Sequence, residues 1–102
     1  MNLFRSMLSV VLLLAWLTCG AAADTAALYK SKCQSCHGAD GKATTIGKKL
    51  KARDFQDPDV ASMSEGDLAN ITTNGKNKMP AYKGKLKDDQ IKALAKYIKD
   101  MK

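Results

Sequence analysis

Two of the three cysteines and the only histidine of this chain fall within five consecutive residues, Cys33-Gln34-Ser35-Cys36-His37, and no other feature limits what the chain can build so tightly. A structural zinc site needs four ligands, usually Cys and His, and beyond this cluster only Cys19 remains. A dithiol oxidoreductase of the thioredoxin type needs a strand-helix-strand setting around its Cys-x-x-Cys, and no period-2 apolar alternation long enough for a strand is present. A simple disulfide suits an oxidising compartment but leaves the adjacent histidine without a role.

Cys19 belongs to a segment that reads as an address. Met1 to Arg5 is a short positive head, Met7 to Leu17 a mostly apolar run, and Ala21-Ala22-Ala23 a small-residue cleavage signal. Residues 1–23 are therefore expected to be a secretory signal peptide, cleaved after Ala23. A retained membrane anchor is disfavoured, because Met7 to Ala23 is short for a bilayer span and contains Ser9, Thr18 and Gly20. Lipid attachment at Cys19 is disfavoured by Trp16-Leu17-Thr18 before it. Removing 23 residues from 102 leaves a single domain, 24–102, of 79 residues. Of the 17 basic residues 16 stay, against 10 acidic, a formal charge of +6. A core of this size rarely supplies more than roughly 3–5 kcal/mol, so a staple is expected.

Cys-x-x-Cys-His is the spacing of covalent haem attachment. Two thiols one helical turn apart can add to the two haem vinyls, and His37 then sits where it can ligate the iron. The haem is the staple. The second axial position has no histidine to fill it, which leaves Met63, Met79, Met101, a lysine or an open site. Met79 is favoured because it precedes Pro80 in the irregular segment 75–82, an odd place for a core methionine. Met101 extends a helical stripe and Met63 precedes a helix cap, so both read as packing residues.

The expected fold is all-α, with about three main helices. The first runs from Asp24 into the cysteine motif, with Tyr29 inward and Gly38 ending the turn. Residues 38–60 are expected as loop with at most one helical turn. The second helix starts at Ser64, where Asp67 completes a capping-box pattern, and stops at Gly75. The third, from about Asp88, places Ile91, Leu94, Ala95, Ile98 and Met101 at offsets of 3, 4, 7 and 10 on one apolar stripe.

The motifs Tyr29-x-x-x-Cys33-x-x-Cys36-His37-Gly38, Ser64-x-x-Asp67-Leu68-x-x-Ile71-x-x-x-Gly75, Lys78-Met79-Pro80-Ala81-Tyr82 and Leu86-x-x-x-Gln90-Ile91-x-x-Leu94-x-x-Tyr97-Ile98 together resemble the class I c-type cytochromes. Arg53-Asp54-Phe55-x-Asp57-Pro58 is most similar to the bacterial subgroup related to oxidase haem subunits. The resemblance implies that the first and last helices cross, with Tyr29 against Leu94 and Tyr97, around one haem c held by Cys33 and Cys36 with His37 and Met79 as iron ligands. It departs from the family at Ile46-Gly47-Lys48, where a Gly-Pro often supplies the carbonyl that orients the histidine, and at Lys87, where the usual Ser or Thr cap is missing and Asp88 is expected to cap instead.

A Met/His haem has no vacant position for oxygen or peroxide, and this ligation raises the reduction potential. The expected role is that of a periplasmic one-electron carrier, not an enzyme. The alternatives are a dedicated haem subunit of a respiratory complex and, less favoured, a peroxidase-like or gas-sensing haem protein. Lys42, Lys48, Lys49, Lys76, Lys78, Lys83, Lys85 and Lys87 are expected to border the haem cleft and to steer acidic redox partners. Nucleic acid is not an expected partner, and the chain is expected to be a monomer without stable membrane insertion.

Overall fold

A computed structural model describes residues 24–101, and these form six helices and no strand. The helix α1 occupies residues 24–32, α2 Gln34–His37, α3 Thr45–Lys49, α4 Pro58–Ala61, α5 Glu65–Asn74 and α6 Asp88–Asp100. The leader and Cys19 lie outside the described residues. Among those described, no helix is long and apolar enough to cross a membrane.

The α6 stripe is the inner wall. Ile91, Leu94 and Ala95 are buried, while Ile98 and Met101 at its far end are half-buried. Tyr29 from α1 meets Tyr97 from α6 at 5.1 Å between ring centroids, so the first and last helices pack together as the resemblance implied. Burying side chains the size of Tyr29 and Leu94 contributes roughly 1.5–3 kcal/mol each, and both are fully enclosed. The helix α5 packs on α6, and the Lys99 ammonium ties α6 to the segment before α5 by donating to the Ala61 and Met63 carbonyls at 2.7 and 2.6 Å.

At the start of α5 the Ser64 hydroxyl accepts from the Asp67 N–H at 3.1 Å and the Asp67 carboxylate accepts from the Ser64 N–H at 3.0 Å. Its end is equally defined: Gly75 has φ of 75°, the left-handed region where a side chain is strained. Ser64→Ala is expected to cost about 1 kcal/mol in urea unfolding. The Ser64 N–H, foremost, and the Ser64 hydroxyl hold the Asp67 carboxyl below its ordinary range. The folded state thus favours the ionised form, so this contribution is present at neutral pH and is lost as pH falls through the lowered value. The stability gap between wild type and Asp67→Ala at pH 7 should accordingly narrow as the pH is taken below the ordinary carboxylate range.

Three expectations change. The first helix does not run unbroken into the motif but turns at Cys33, whose carbonyl still accepts from the Cys36 and His37 N–H groups. The stretch 38–60 holds two short helices, α3 and α4. Asp88 does not cap α6: Lys87 is the N-cap residue, and its N–H is taken by the Gln90 side-chain oxygen at 2.9 Å, while Asp88 and Asp89 face the positive end of the helix dipole.

Candidate haem site

The short helix α3 is fastened to the cysteine motif. Thr44 caps α3 by accepting from the Gly47 N–H at 3.1 Å, and the same hydroxyl donates to the Ser35 carbonyl at 2.6 Å. The Thr44 N–H donates to the Cys36 carbonyl at 3.0 Å. Gly47 then passes so close that a Cβ there would fall on the Cys36 carbonyl oxygen, a backbone group that cannot rotate away. A glycine is required for the approach. On the other side of the motif, the buried Tyr29 hydroxyl donates to the Gly38 carbonyl at 2.7 Å. Burial, first, and the neighbouring Cys33 push this phenol far up.

The opposite wall comes from the chain after α5. Lys76 and Met79 exchange backbone hydrogen bonds, 3.2 Å from the Lys76 N–H and 2.9 Å from the Met79 N–H, around a turn with Asn77 at φ of 55°. The Tyr82 and Lys83 N–H groups then donate to the Thr72 and Thr73 carbonyls, stitching this segment to the end of α5. The segment carrying Met79 is held by backbone bonds at both ends.

Between these walls lies a cavity of about 410 Å³, and Cys33, Cys36, His37 and Met79 all line it. Phe55, Leu68, Ile71, Leu94 and Ile98 give it an apolar interior. Both cysteines are free thiols rather than a disulfide, and burial pushes the Cys33 thiol up to about 11. Burial also lowers the His37 pKa, which keeps the imidazole neutral, the form that binds metal. The His37 ring stacks on Phe55 at 4.8 Å, and its buried Nδ1 has no hydrogen-bond partner among the described residues. Among the described residues no group of three His, Cys, Asp or Glu side chains could hold a metal ion, which counts against zinc. The arrangement suits a largely apolar ligand that two thiols and a neutral imidazole can hold.

The sequence profile of the family described as cytochrome C oxidase, cbb3-type, subunit III matches residues 20–98, the motif and both walls of the cavity. The chain belongs to this c-type cytochrome family. The cytochrome is 37% identical to cytochrome c6 of Leptolyngbya boryana over 81 residues, which is 76% of this chain and 93% of that protein. It is 38% identical to cytochrome c6 of Nostoc sp. over 73 residues, 72% of this chain and 64% of the Nostoc protein. Among solved structures it is similar to KustC0563, a c-type cytochrome, with a TM-score of 0.70 and 32% identity across 76% of this chain and 95% of that one. A c-type cytochrome carries one covalently bound haem c and works as an electron carrier.

The residues present fit that group. Two free thiols and a neutral imidazole with an unpaired nitrogen line one apolar cavity, and Cys33, Cys36 and His37 are the side chains that could hold haem c there. Among the described residues no carbonyl of Ile46-Gly47-Lys48 accepts from His37 Nδ1; the Ile46 and Gly47 carbonyls accept from Leu50, Gly47 also from Ala52, and Lys48 from Lys51. Ring stacking on Phe55 is the contact that steadies His37 instead. Met63 lines the same cavity as Met79, whereas Met101 lies outside it. The lysines divide as well: Lys76 and Lys78 line the cavity, joined by Lys32, Lys51 and Arg53, while Lys42, Lys48, Lys49, Lys83, Lys85 and Lys87 do not. Thr44 and Phe55 were the residues that sequence reasoning missed as site elements. A threonine three residues before a glycine was the available signal for the first; nothing local marks the second.

Proposed function

We propose that this cytochrome is an exported periplasmic one-electron carrier, with residues 1–23 removed and the domain 24–102 holding its haem through Cys33 and Cys36. His37 and Met79 are the axial ligands. The observation that carries this reading is the convergence of all four side chains on one apolar cavity, from two segments 42 residues apart in the chain (37 to 79). Haem held there would supply one-electron chemistry. Cys33 and Cys36 would anchor it, His37 and Met79 would ligate its iron, and Leu68, Ile71, Leu94 and Ile98 would keep water from it.

The five cationic residues lining the cavity are all exposed, and no acidic residue lines it. Arg53 is paired with Asp57 at 3.5 Å and Asp59 at 3.0 Å, and among the described residues Lys32, Lys51, Lys76 and Lys78 have no ion-pair partner and form the positive rim. That charge suits acidic redox partners approached as a monomer through small, short-lived contacts. A second reading, a haem subunit of a respiratory complex, draws on the family match over residues 20–98; copurification with a membrane oxidase would establish it.

The test is ligand binding to the ferrous holoprotein. With both axial positions filled, carbon monoxide at neutral pH should bind negligibly on the timescale of seconds. Rapid, complete binding would overturn the carrier reading in favour of a sensor or peroxidase-like protein.

A further inference from the structure

Tyr82 joins the two halves of the site. Its hydroxyl donates to the Lys32 carbonyl at 3.1 Å, between residues 50 apart in sequence. Lys32 is the last residue of α1 and directly precedes Cys33. Its carbonyl is one of those that a helix end leaves without an intrahelical partner, and the next available backbone donors, the Cys36 and His37 N–H groups, both go to Cys33. At its other end Tyr82 is fixed by its own backbone: the N–H donates to Thr72 at 3.0 Å, and the carbonyl accepts from Lys85 and Leu86 at 3.0 Å each. Only Pro80 and Ala81 separate it from Met79, and Pro80 has a nearly fixed φ. The Met79 segment therefore has little freedom to swing away from the cysteine motif while the Tyr82 hydroxyl stays on Lys32.

We propose that the Tyr82 hydroxyl is a latch that holds the Met79 segment against the haem-attachment segment and so sets how often Met79 leaves the iron. Tyr82 acts through Met79 and is a positioning residue. The latch rests on the reading of Met79 as the second axial ligand. It is a device of the hydroxyl and not of the ring, so Tyr82→Phe removes it while keeping the aromatic wall of the cavity.

The experiment uses ferric holoprotein and imidazole as the probe, which takes the second axial position only while the methionine is away. Tyr82→Phe should keep the weak methionine-to-iron absorption at the red edge of the visible spectrum and bind imidazole about three- to tenfold faster, the scale of one lost hydrogen bond. Ser64→Ala, which weakens the far end of α5, should leave the imidazole rate unchanged. A wild-type rate in Tyr82→Phe, with the red-edge band lost in Met79→Ala, overturns the latch and leaves the ligand standing. Equal acceleration in Ser64→Ala also overturns it, because the effect is then one of global stability. Persistence of the band in Met79→Ala overturns the ligand reading and the latch with it.

Discussion

A chain carrying Cys33→Ser and Cys36→Ser is expected to yield no haem that stays with the polypeptide after denaturation, and to lose cooperative folding. The first effect follows from the thiols, since serine cannot form the thioether. The second follows from how little else the core contains. Among the described residues the buried apolar side chains are only Tyr29, Ala43, Leu68, Ile91, Leu94 and Ala95, and two of them, Leu68 and Leu94, line the cavity of about 410 Å³. Without haem the apolar lining of that cleft, Leu68, Ile71, Leu94 and Ile98 among it, has no partner to cover it and contributes little to folding. A domain this small has only roughly 3–5 kcal/mol to lose. Collapse into the cavity is opposed by the fastenings on its two sides, Thr44 on Ser35 and Tyr82 on Thr72. Staining for haem on a denaturing gel checks the first effect, and urea titration followed by far-ultraviolet circular dichroism checks the second. A haem-free double variant that unfolds with the steep transition of the holoprotein would show that the protein core suffices alone.

What was legible in the sequence is what is written locally. The helix α5 announces itself by Ser64, Asp67 and Gly75, each acting within a turn of its own position, and α6 by an apolar stripe whose period is that of the helix. The cysteine motif is local by chemistry. The helices α3 and α4 were not legible, because four or five residues lie far below the length at which propensity sustains a helix, and both depend on contacts distant in sequence. Thr44 begins α3 by bonding to Ser35 and Cys36, and Pro58 begins α4 at its first turn, where a proline is tolerated, although in the sequence it reads as a breaker. Phe55 stacks on His37 across a loop with no period to reveal it. Met63 shows the same limit from the other side. Its place before a cap was correct, but the Lys99 bonds to Ala61 and Met63 bring that segment around to the cavity. The positive rim also changed for this reason: Lys51 and Lys32 reach the mouth through backbone positions, φ of 63° at Lys51 and the end of α1 for Lys32, that no charge pattern encodes.

Met63 and Met79 both line the cavity, so the choice of iron ligand is a matter for substitution. Met79→Ala is expected to abolish the red-edge band, to lower the reduction potential by a measurable part of the roughly 0.8 V that axial ligands span, and to let the ferrous protein bind carbon monoxide within seconds. Met63→Ala is expected to keep the band and the potential, losing only packing. The difference lies in how each segment is held. The Met63 carbonyl is committed to Lys99, and the residue leads into a capped helix whose axis fixes its direction. Met79 sits on a turn closed by its own bonds to Lys76 and followed by Pro80, a segment otherwise polar and exposed that turns a thioether toward an apolar cavity. Sulfur is a soft, weakly hydrated donor that such a loop has no other reason to carry inward. If Met63→Ala removes the band and Met79→Ala spares it, the ligand is Met63, and the segment before α5 becomes the functional wall. If neither removes it, the ligand is not a methionine of this cavity. If Met79→Ala alone opens the site to carbon monoxide, a single thioether separates a carrier from a protein that would bind small gases.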